Sequence, residues 1–420
     1  MSKLPWDMQK IGDVFRINTV SVLPNTFPSS LFYHHSLPAW DECGGPVVEP
    51  GIAIESNKTA LKVPCILVSK LNPRKPRVSV VANIPTDQNH CTSTEFVCME
   101  PATDSVPLSF WRHFFSHKQF SNRLDRIAIG STNSHKRYSP KELLFFSIKI
   151  PTIPEQQNIA QILDTLDTQI QKTEALIAKL EKIKEGLLHD LLTRGIDQNG
   201  QLRPTPEHAP ELYKETALGL IPKEWDIRTT GEISRSIVPG RDKPQLSNTG
   251  VPWITISDLI ENRVTKSTLG LYVDERQIRT SMIRTIPAGS VIMSCVGEFG
   301  VTSITECKTI INQQLHCFIV NTGINADWLM YSLRQKKNTI DRSATQTTIK
   351  YLNKAGCESI VLPTPSLDEQ ISIVSQISSL DRRIGKEKKY SDKLGKTKVG
   401  LMDDLLTGRV RVTTLLKDAV

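Results

Sequence analysis

No stretch of this chain approaches the ~18 consecutive apolar residues that a membrane span requires, and the opening residues, MSKLPWDMQKIGDVF, lack the apolar core of a secretory signal. Both absences predict a cytoplasmic protein with no membrane partner. The eight cysteines, at 43, 65, 91, 98, 295, 307, 317 and 357, include no CxxC pair, so free thiols are expected rather than disulfides or zinc. There is no Walker A lysine loop, no GxGxxG, no HExxH and no Asp/Asn-Pro-Pro-aromatic motif of the amino-methyltransferase kind. The nearest approach to a metal pair is His113 and His117, four apart on an aromatic stretch without an accompanying glutamate, which reads as packing. Carboxylates concentrate at helical spacing beside lysines, as solvated pairs do. A chain of 420 residues without catalytic, metal or cofactor residues in good spacing is read as one that recognises or assembles.

What is present is a repeat. Residues 151–195 carry Ile159, Leu163, Leu166, Ile170, Ile177, Leu180, Leu187 and Leu191 in alternating steps of four and three, with gaps at Thr173 and Lys184. This is the seam of a long helix packed on another. Thr152 with Glu155 predicts a capping box at its start, Pro154 is tolerated in the first turn, and Gly195 predicts a left-handed stop. Moving 151–193 forward by 214 gives 365–407, with 18 of 43 pairs identical and no gap. The start recurs as Ser366 with Glu369, the seam as Leu380, Ile384, Leu394 and Leu401, and the end as Asp-Leu-Leu-Thr. Trp6-Asp7 and Gly12-Asp13-Val14 likewise return as Trp225-Asp226 and Gly231-Glu232-Ile233.

The chain is therefore expected to be a tandem duplication of an α+β globule followed by a helical rod. The predicted divisions are a globule over 1–150, a rod over 151–195, a linker over 196–221, a second globule over 222–362, a second rod over 363–412 and a tail over 413–420. Gly186 and Gly400 occupy equivalent positions and predict a close backbone approach where the rods cross. Gly385, Gly395 and Gly400 lower the helix propensity of the second rod, which also carries a basic run from Arg382 to Lys398.

Lysine and arginine (52) exceed aspartate and glutamate (44), for a net charge of +8, which suits a polyanionic partner. In the first globule, strands are predicted at 63–69, 78–82 and 95–99, and a helix over 109–120. The loop 69–77 between the strands carries Lys70, Asn72, Arg74, Lys75 and Arg77 around two prolines. A second polar loop, 130–138, carries Ser134, Lys136 and Arg137. Such residues bond phosphates, and arginines also bond guanine edges. In the second globule, strands are predicted at 251–256, 290–295 and 315–320 and a helix over 326–335. Its candidate contacts are Arg241 and Lys243, Gln313 and Gln314, and Thr345, Gln346, Thr347 and Lys350, among which amides suit adenine.

Taken in order, the two Pro…Trp-Asp starts, Ser69-Lys70-Leu71-Asn72-Pro73, Ser93-Thr94-Glu95-Phe96, the Pro151…Pro154-Glu155-Gln156 start of the first rod and the Glu369-Gln370 start of the second resemble the specificity subunit of a Type I restriction-modification enzyme. The resemblance implies two target recognition domains, each reading one half of a bipartite, asymmetric site in double-stranded DNA, on two long antiparallel helices that act as a coiled-coil spacer. It further implies a non-catalytic chain that holds two modification (methyltransferase) subunits and, through them, restriction/translocase subunits. S-adenosylmethionine, ATP and magnesium would belong to those partners and not to this chain. The rival reading is a scaffold whose coiled coil assembles proteins without reading DNA. A stand-alone nuclease is disfavoured for want of a metal-carboxylate cluster.

Overall fold

The computed structural model describes residues 6–240, 243–281, 283–343 and 351–412. Contacts divide the chain into two compact units, one made of the chain up to Ala175 together with the segment from Lys388 onward, the other of Leu176–Glu387. Each unit holds one globule and a part of each long helix.

The central sheet of the first unit orders its strands Phe15–Ile17, Phe96–Pro101, Cys65–Ser69 and Val78–Val81, all antiparallel. Cys65–Ser69 is buried at every position, because both faces of the sheet are covered. Ile66 and Val68 face a cluster with Phe110, Trp111 and Phe115, while Cys65 and Leu67 face Leu37, Leu61 and Phe96. The aromatic cluster comes from helix Leu108–Ser116, which lies on the sheet. A second sheet of five short strands includes Leu31–His35 parallel to Asn89–Ser93. Asp7–Lys10 pairs with Ser147–Ile150, which leads into the first long helix.

The second unit repeats this plan. Ser234–Ile237, Leu315–Val320, Val291–Ser294 and Thr302–Thr305 follow one another in its central sheet, and Arg263–Val264 adds a parallel edge. Val291 and Met293 face Trp328 and Leu329 of helix Ala326–Gln335, whereas Ile292 faces Ile254 and Ile311 on the other side. Asp226–Thr229 pairs with Val361–Thr364 and again leads into a long helix. The other sheet differs, having three strands in the second unit and five in the first. Short strands at every predicted position carry the globules, but the helix expected over 109–120 is two helices, Leu108–Ser116 and Lys118–Ile127, broken at His117 with ψ 136°. The break lets His113 bond Asp164 and His117 bond Asp403, both at 2.8 Å. The two histidines therefore dock the globule on the helices, a role beyond packing.

The long helices run Ile153–Thr193 and Leu367–Leu406, each without interruption. Within each unit they are antiparallel. In the first, Lys398 pairs with Asp167; in the second, Lys184 pairs with Asp381 at 2.5 Å, the same two positions exchanged by the repeat. Ile159, Leu163, Leu180, Leu191 and Ile384 are buried, and Leu166, Ile170, Ile177, Leu187, Leu380, Leu394 and Leu401 half-buried, so the seam is occupied as the spacing requires. Thr173, a gap in the apolar pattern, is buried in it and bonds back to the Gln169 carbonyl at 2.8 Å. Gly186 and Gly400 correct an expectation: a Cβ at either would meet nothing within 4 Å, so neither is needed for close approach. Gly385 and Gly395 do not break the second helix, because its inner face is anchored through Ile373, Ile377 and Ile384 at one end and Leu405 and Leu406 at the other.

The capping boxes hold only in part: Ser366 accepts the Glu369 backbone N–H at 3.4 Å, but the glutamates serve elsewhere. Glu155 is buried and takes the Trp6 indole N–H at 3.2 Å and the Arg411 guanidinium at 2.7 and 2.8 Å. Glu369 takes the Trp225 indole at 3.0 Å, Arg203 at 2.5 and 3.2 Å and the Ile196 backbone N–H at 3.0 Å. Each glutamate thus joins a globule's first strand to the segment that follows the other long helix. Gly195, at φ +66°, ends the first helix here, and any side chain on it would collide with Glu369, Trp225 and Arg203. Burial opposes the Arg203 charge, but the hydrogen bonds and charge of Glu369 outweigh it and hold its pKa above the usual value.

Replacing Glu369 by Ala takes the buried Arg203 guanidinium's main partner and leaves it the exposed Glu224 at 3.1 Å and the Arg194 carbonyl; the expected cost is about 3 kcal/mol, read as a lower urea midpoint. Gly186→Ala, by contrast, should stabilise by up to about 1 kcal/mol, since it raises helix propensity and meets no neighbour; thermal unfolding checks the sign.

Candidate nucleic-acid interface

The two polar loops of the first globule come together. Leu71 bridges Arg137, the Asn72 amide donates to the Lys136 carbonyl at 2.8 Å, and Lys70 donates to the Glu95 carbonyl at 2.9 Å. Three segments, 69–77, 93–96 and 129–138, therefore form one surface at the end of the central sheet. Gly130 allows this, because a Cβ there would press on the backbone of His135 and Lys136. Ser134 is exposed and bonds within its own loop, to Thr132 at 3.1 Å and His135 at 3.2 Å.

Carboxylates of the same globule fix most of the cations. Asp41 takes Arg77 through two bonds of 2.9 and 2.7 Å and Lys75 at 3.0 Å. The hydrogen bonds of Arg77, then those of Lys75, hold the Asp41 carboxyl well below the usual range. Asp125 lies 3.9 Å from Arg74 and 3.5 Å from Lys136, and Glu95 takes the Arg137 Nε at 3.0 Å. Two expected contact residues are turned inward. Arg77 is buried, with a side chain only 10% exposed, and Asn72 adopts φ 49° with its Oδ1 buried. They shape the loop. Arg74, Lys75 and Arg137 stay exposed, while Lys70 and Lys136 are half-buried.

The second globule builds the same surface from different residues. Val296 bridges Tyr351, the Leu352 amide donates to the Cys295 carbonyl at 3.0 Å, and Cys295 donates to the Gln314 carbonyl at 2.8 Å. The turn 312–314 thus matches 93–95, and the loop after Val291–Ser294 matches 69–77. Gln313 donates to the Gly240 carbonyl at 3.3 Å, and Asn312 bonds Gln314 at 3.0 Å. Gln313, Gln314 and Lys243 are exposed. Arg241, Thr345, Gln346, Thr347 and Lys350 lie outside the described residues. Sequence reasoning missed the loop 296–300 and the role of Glu95; the signal for both was the place of each segment beside a buried strand, since neither is rich in cations.

Among the described residues, one group has metal-ligand geometry: His113, Asp164 and Asp167. Arg112 bonds both carboxylates, at 2.7 and 3.0 Å, and Lys398 bonds Asp167. Two cations already balance the two acids, so the group is a docking cluster between globule and helices with no charge left for an ion. No helix among the described residues is long and apolar enough to cross a membrane.

Asp41→Ala is expected to cost about 2 kcal/mol by leaving the buried Arg77 without its carboxylate, and Arg77→Ala less than that, because the part-exposed Asp41 keeps Lys75 at 3.0 Å. The double variant should lose little more than Asp41→Ala alone, as urea unfolding will read.

A family profile described as the type I restriction modification DNA specificity domain matches residues 3–182 and again 222–395. A putative type I restriction enzyme specificity subunit, MjaX, from Methanocaldococcus jannaschii is 24% identical over 322 residues, which cover 75% of this chain and 71% of that one. The HindI specificity subunit of Haemophilus influenzae is 23% identical over 364 residues, 74% of this chain and 78% of the relative. The fold is also that of a solved type I restriction-modification S subunit from M. genitalium, at 15% identity and a TM-score of 0.57, covering 96% of this chain and 97% of that one. A further chain, solved in work on assembly and conformational transition of a type I R-M system, aligns with a TM-score of 0.61 at 18% identity over 98% of this chain and all of that one. With one profile matched twice over most of the sequence, and with the repeat it describes built into both units, the chain belongs to the type I restriction modification DNA specificity family.

Proposed function

We propose that this chain is the DNA-reading subunit of a type I restriction-modification complex and that it reads a bipartite, asymmetric site, one half with each globule. Residues 1–150 and 222–362 are the target recognition domains in this reading, and 151–195 and 363–412 are the spacer helices. The observation that carries it is the recurrence, in both globules, of one three-segment surface on one sheet, with unlike side chains on it: cations in 69–77 and 129–138, amides in 312–314. A shared frame with different polar groups is what two readers of different half-sites need. The direct contacts assigned are Lys70, Arg74, Lys75, Ser134, Lys136 and Arg137 in the first domain. In the second they are Arg241, Lys243, Gln313, Gln314, Thr345, Gln346, Thr347 and Lys350. Arg77 and Asn72 position their loop.

The chain performs no chemistry itself. Its partners are methyltransferase and restriction subunits, two of the former in this proposal, which bring S-adenosylmethionine, ATP and magnesium. A scaffold that reads no DNA is not favoured, because it leaves the recurring polar surface without a purpose.

Single-molecule mapping of N6-methyladenine in the source genome, with and without this chain, is the test. One bipartite motif should vanish on deletion, and exchange of the segment 222–362 for that of a relative should change one half of the motif only. Loss of no motif, or change in both halves, would refute the assignment.

A further inference from the structure

Arg137 and Glu95 form an ion pair that the fold does not need. In both globules the same backbone bridges hold the surface together: Leu71 with Arg137 and Lys70 with Glu95 in the first, Val296 with Tyr351 and Cys295 with Gln314 in the second. The positions of Arg137 and Glu95 are thus taken by Tyr351 and Gln314, and the bridges form without a pair of charges. Nor is the pair a source of stability. Its side chains are 46% and 29% exposed, and ion pairs in such settings contribute little.

The geometry does fix the guanidinium. Arg137 Nε donates to Glu95 Oε2 at 3.0 Å, and Nη1 reaches the His135 carbonyl at 3.4 Å. Its own backbone is held from two sides, since Ile129 and Arg137 exchange N–H···O bonds of 2.9 Å and Leu71 bridges it on the other flank. Nε is engaged, and each terminal nitrogen carries two N–H groups, so that with one on Nη1 given to His135 a second on Nη1 and those on Nη2 remain for a ligand at the end of the guanidinium. Two parallel N–H groups at that end match O6 and N7 of guanine in a major groove, a fit that a lysine cannot make.

We propose that Glu95 is a positioning residue which orients Arg137 to read one guanine in the half-site of the first globule. This rests on the reading of the chain as a DNA-sequence reader and adds a residue that touches no base. It separates Arg137 from Arg74 and Lys75, whose partners are shared between two cations each and whose place on the loop suits phosphates.

The test uses the full chain co-expressed with its methyltransferase partner and a random-sequence duplex library selected for adenine-N6 methylation. Arg137→Ala and Arg137→Lys should each relax one G·C position by about tenfold or more, with the rest of the motif intact. Glu95→Ala should relax that same position, and Glu95→Gln should keep most of the preference, because the amide oxygen still accepts from Nε. Adding Glu95→Ala to Arg137→Ala should change nothing further. Relaxation spread over all positions, Glu95→Gln as damaging as Glu95→Ala, or an intact motif in Glu95→Ala beside a relaxed one in Arg137→Ala would each overturn the assignment while leaving the chain a sequence reader. A wild-type complex that selects no motif would remove both. Should Glu95→Ala fail to fold, Glu95→Met decides in its place, since it keeps the side chain's length but has no oxygen to accept from Nε: relaxation at the Arg137 position supports the assignment and an intact motif overturns it.

Discussion

Two glutamates, one at the start of each long helix, Glu155 buried and Glu369 with its side chain 11% exposed, hold the two units together internally. A carboxylate removed from water is costly unless it is paired and fully hydrogen-bonded, and each of these meets that condition with an indole N–H and an arginine. The three groups come from places far apart in sequence: the first strand of a globule, the start of the helix that follows it, and the segment after the other helix. Satisfying one charge therefore fixes three chain paths at once, and the end of each long helix is tied to the beginning of the other. The Lys398–Asp167 and Lys184–Asp381 pairs then set the register of the helices within each unit. What the globules present is built on that frame.

Much of the frame was legible in advance, for particular reasons. The seam of the helices was visible because 3.6-residue periodicity survives in Ile159, Leu163, Leu180 and Ile384, and the duplication was visible because the helices kept their sequence. The strands Cys65–Ser69 and Leu315–Val320 were visible as short β-branched and apolar runs. Glu155 and Glu369 were seen to recur, yet were read as local capping groups. A sequence window displays the neighbours a residue has along the chain, and Arg411 stands 256 residues from Glu155. The glycine pair at 186 and 400 failed for the opposite reason: equivalence in a repeat says that two positions share an environment, and here both environments are open solvent.

The proposed contact surface was legible in its composition and hidden in its assembly. Loops 69–77 and 130–138 stood out for their cations, but nothing in either says that they bridge each other, nor that acids at 41, 95 and 125 tie the cations down. Once those acids are placed, residues that look alike in sequence divide into different roles, with Arg77 buried as a support and Arg137 held at the surface. The two globules share four central strands in the same order and the bridges beside them, and differ in side chains, in the parallel edge strand Arg263–Val264 of the second and in the other sheet. Divergence of sequence over a constant backbone is what a pair of readers with separate targets would accumulate.

The wide separation between Glu155 and Arg411 bears on how the protein is made. At a synthesis rate of about 5–20 residues per second, the ribosome delivers Arg411 some tens of seconds after Glu155. Through that interval the first globule has only the Trp6 indole for its anchoring acid, while Arg203 precedes Glu369 and is ready when that residue emerges. The globule translated first is thus the last to be locked.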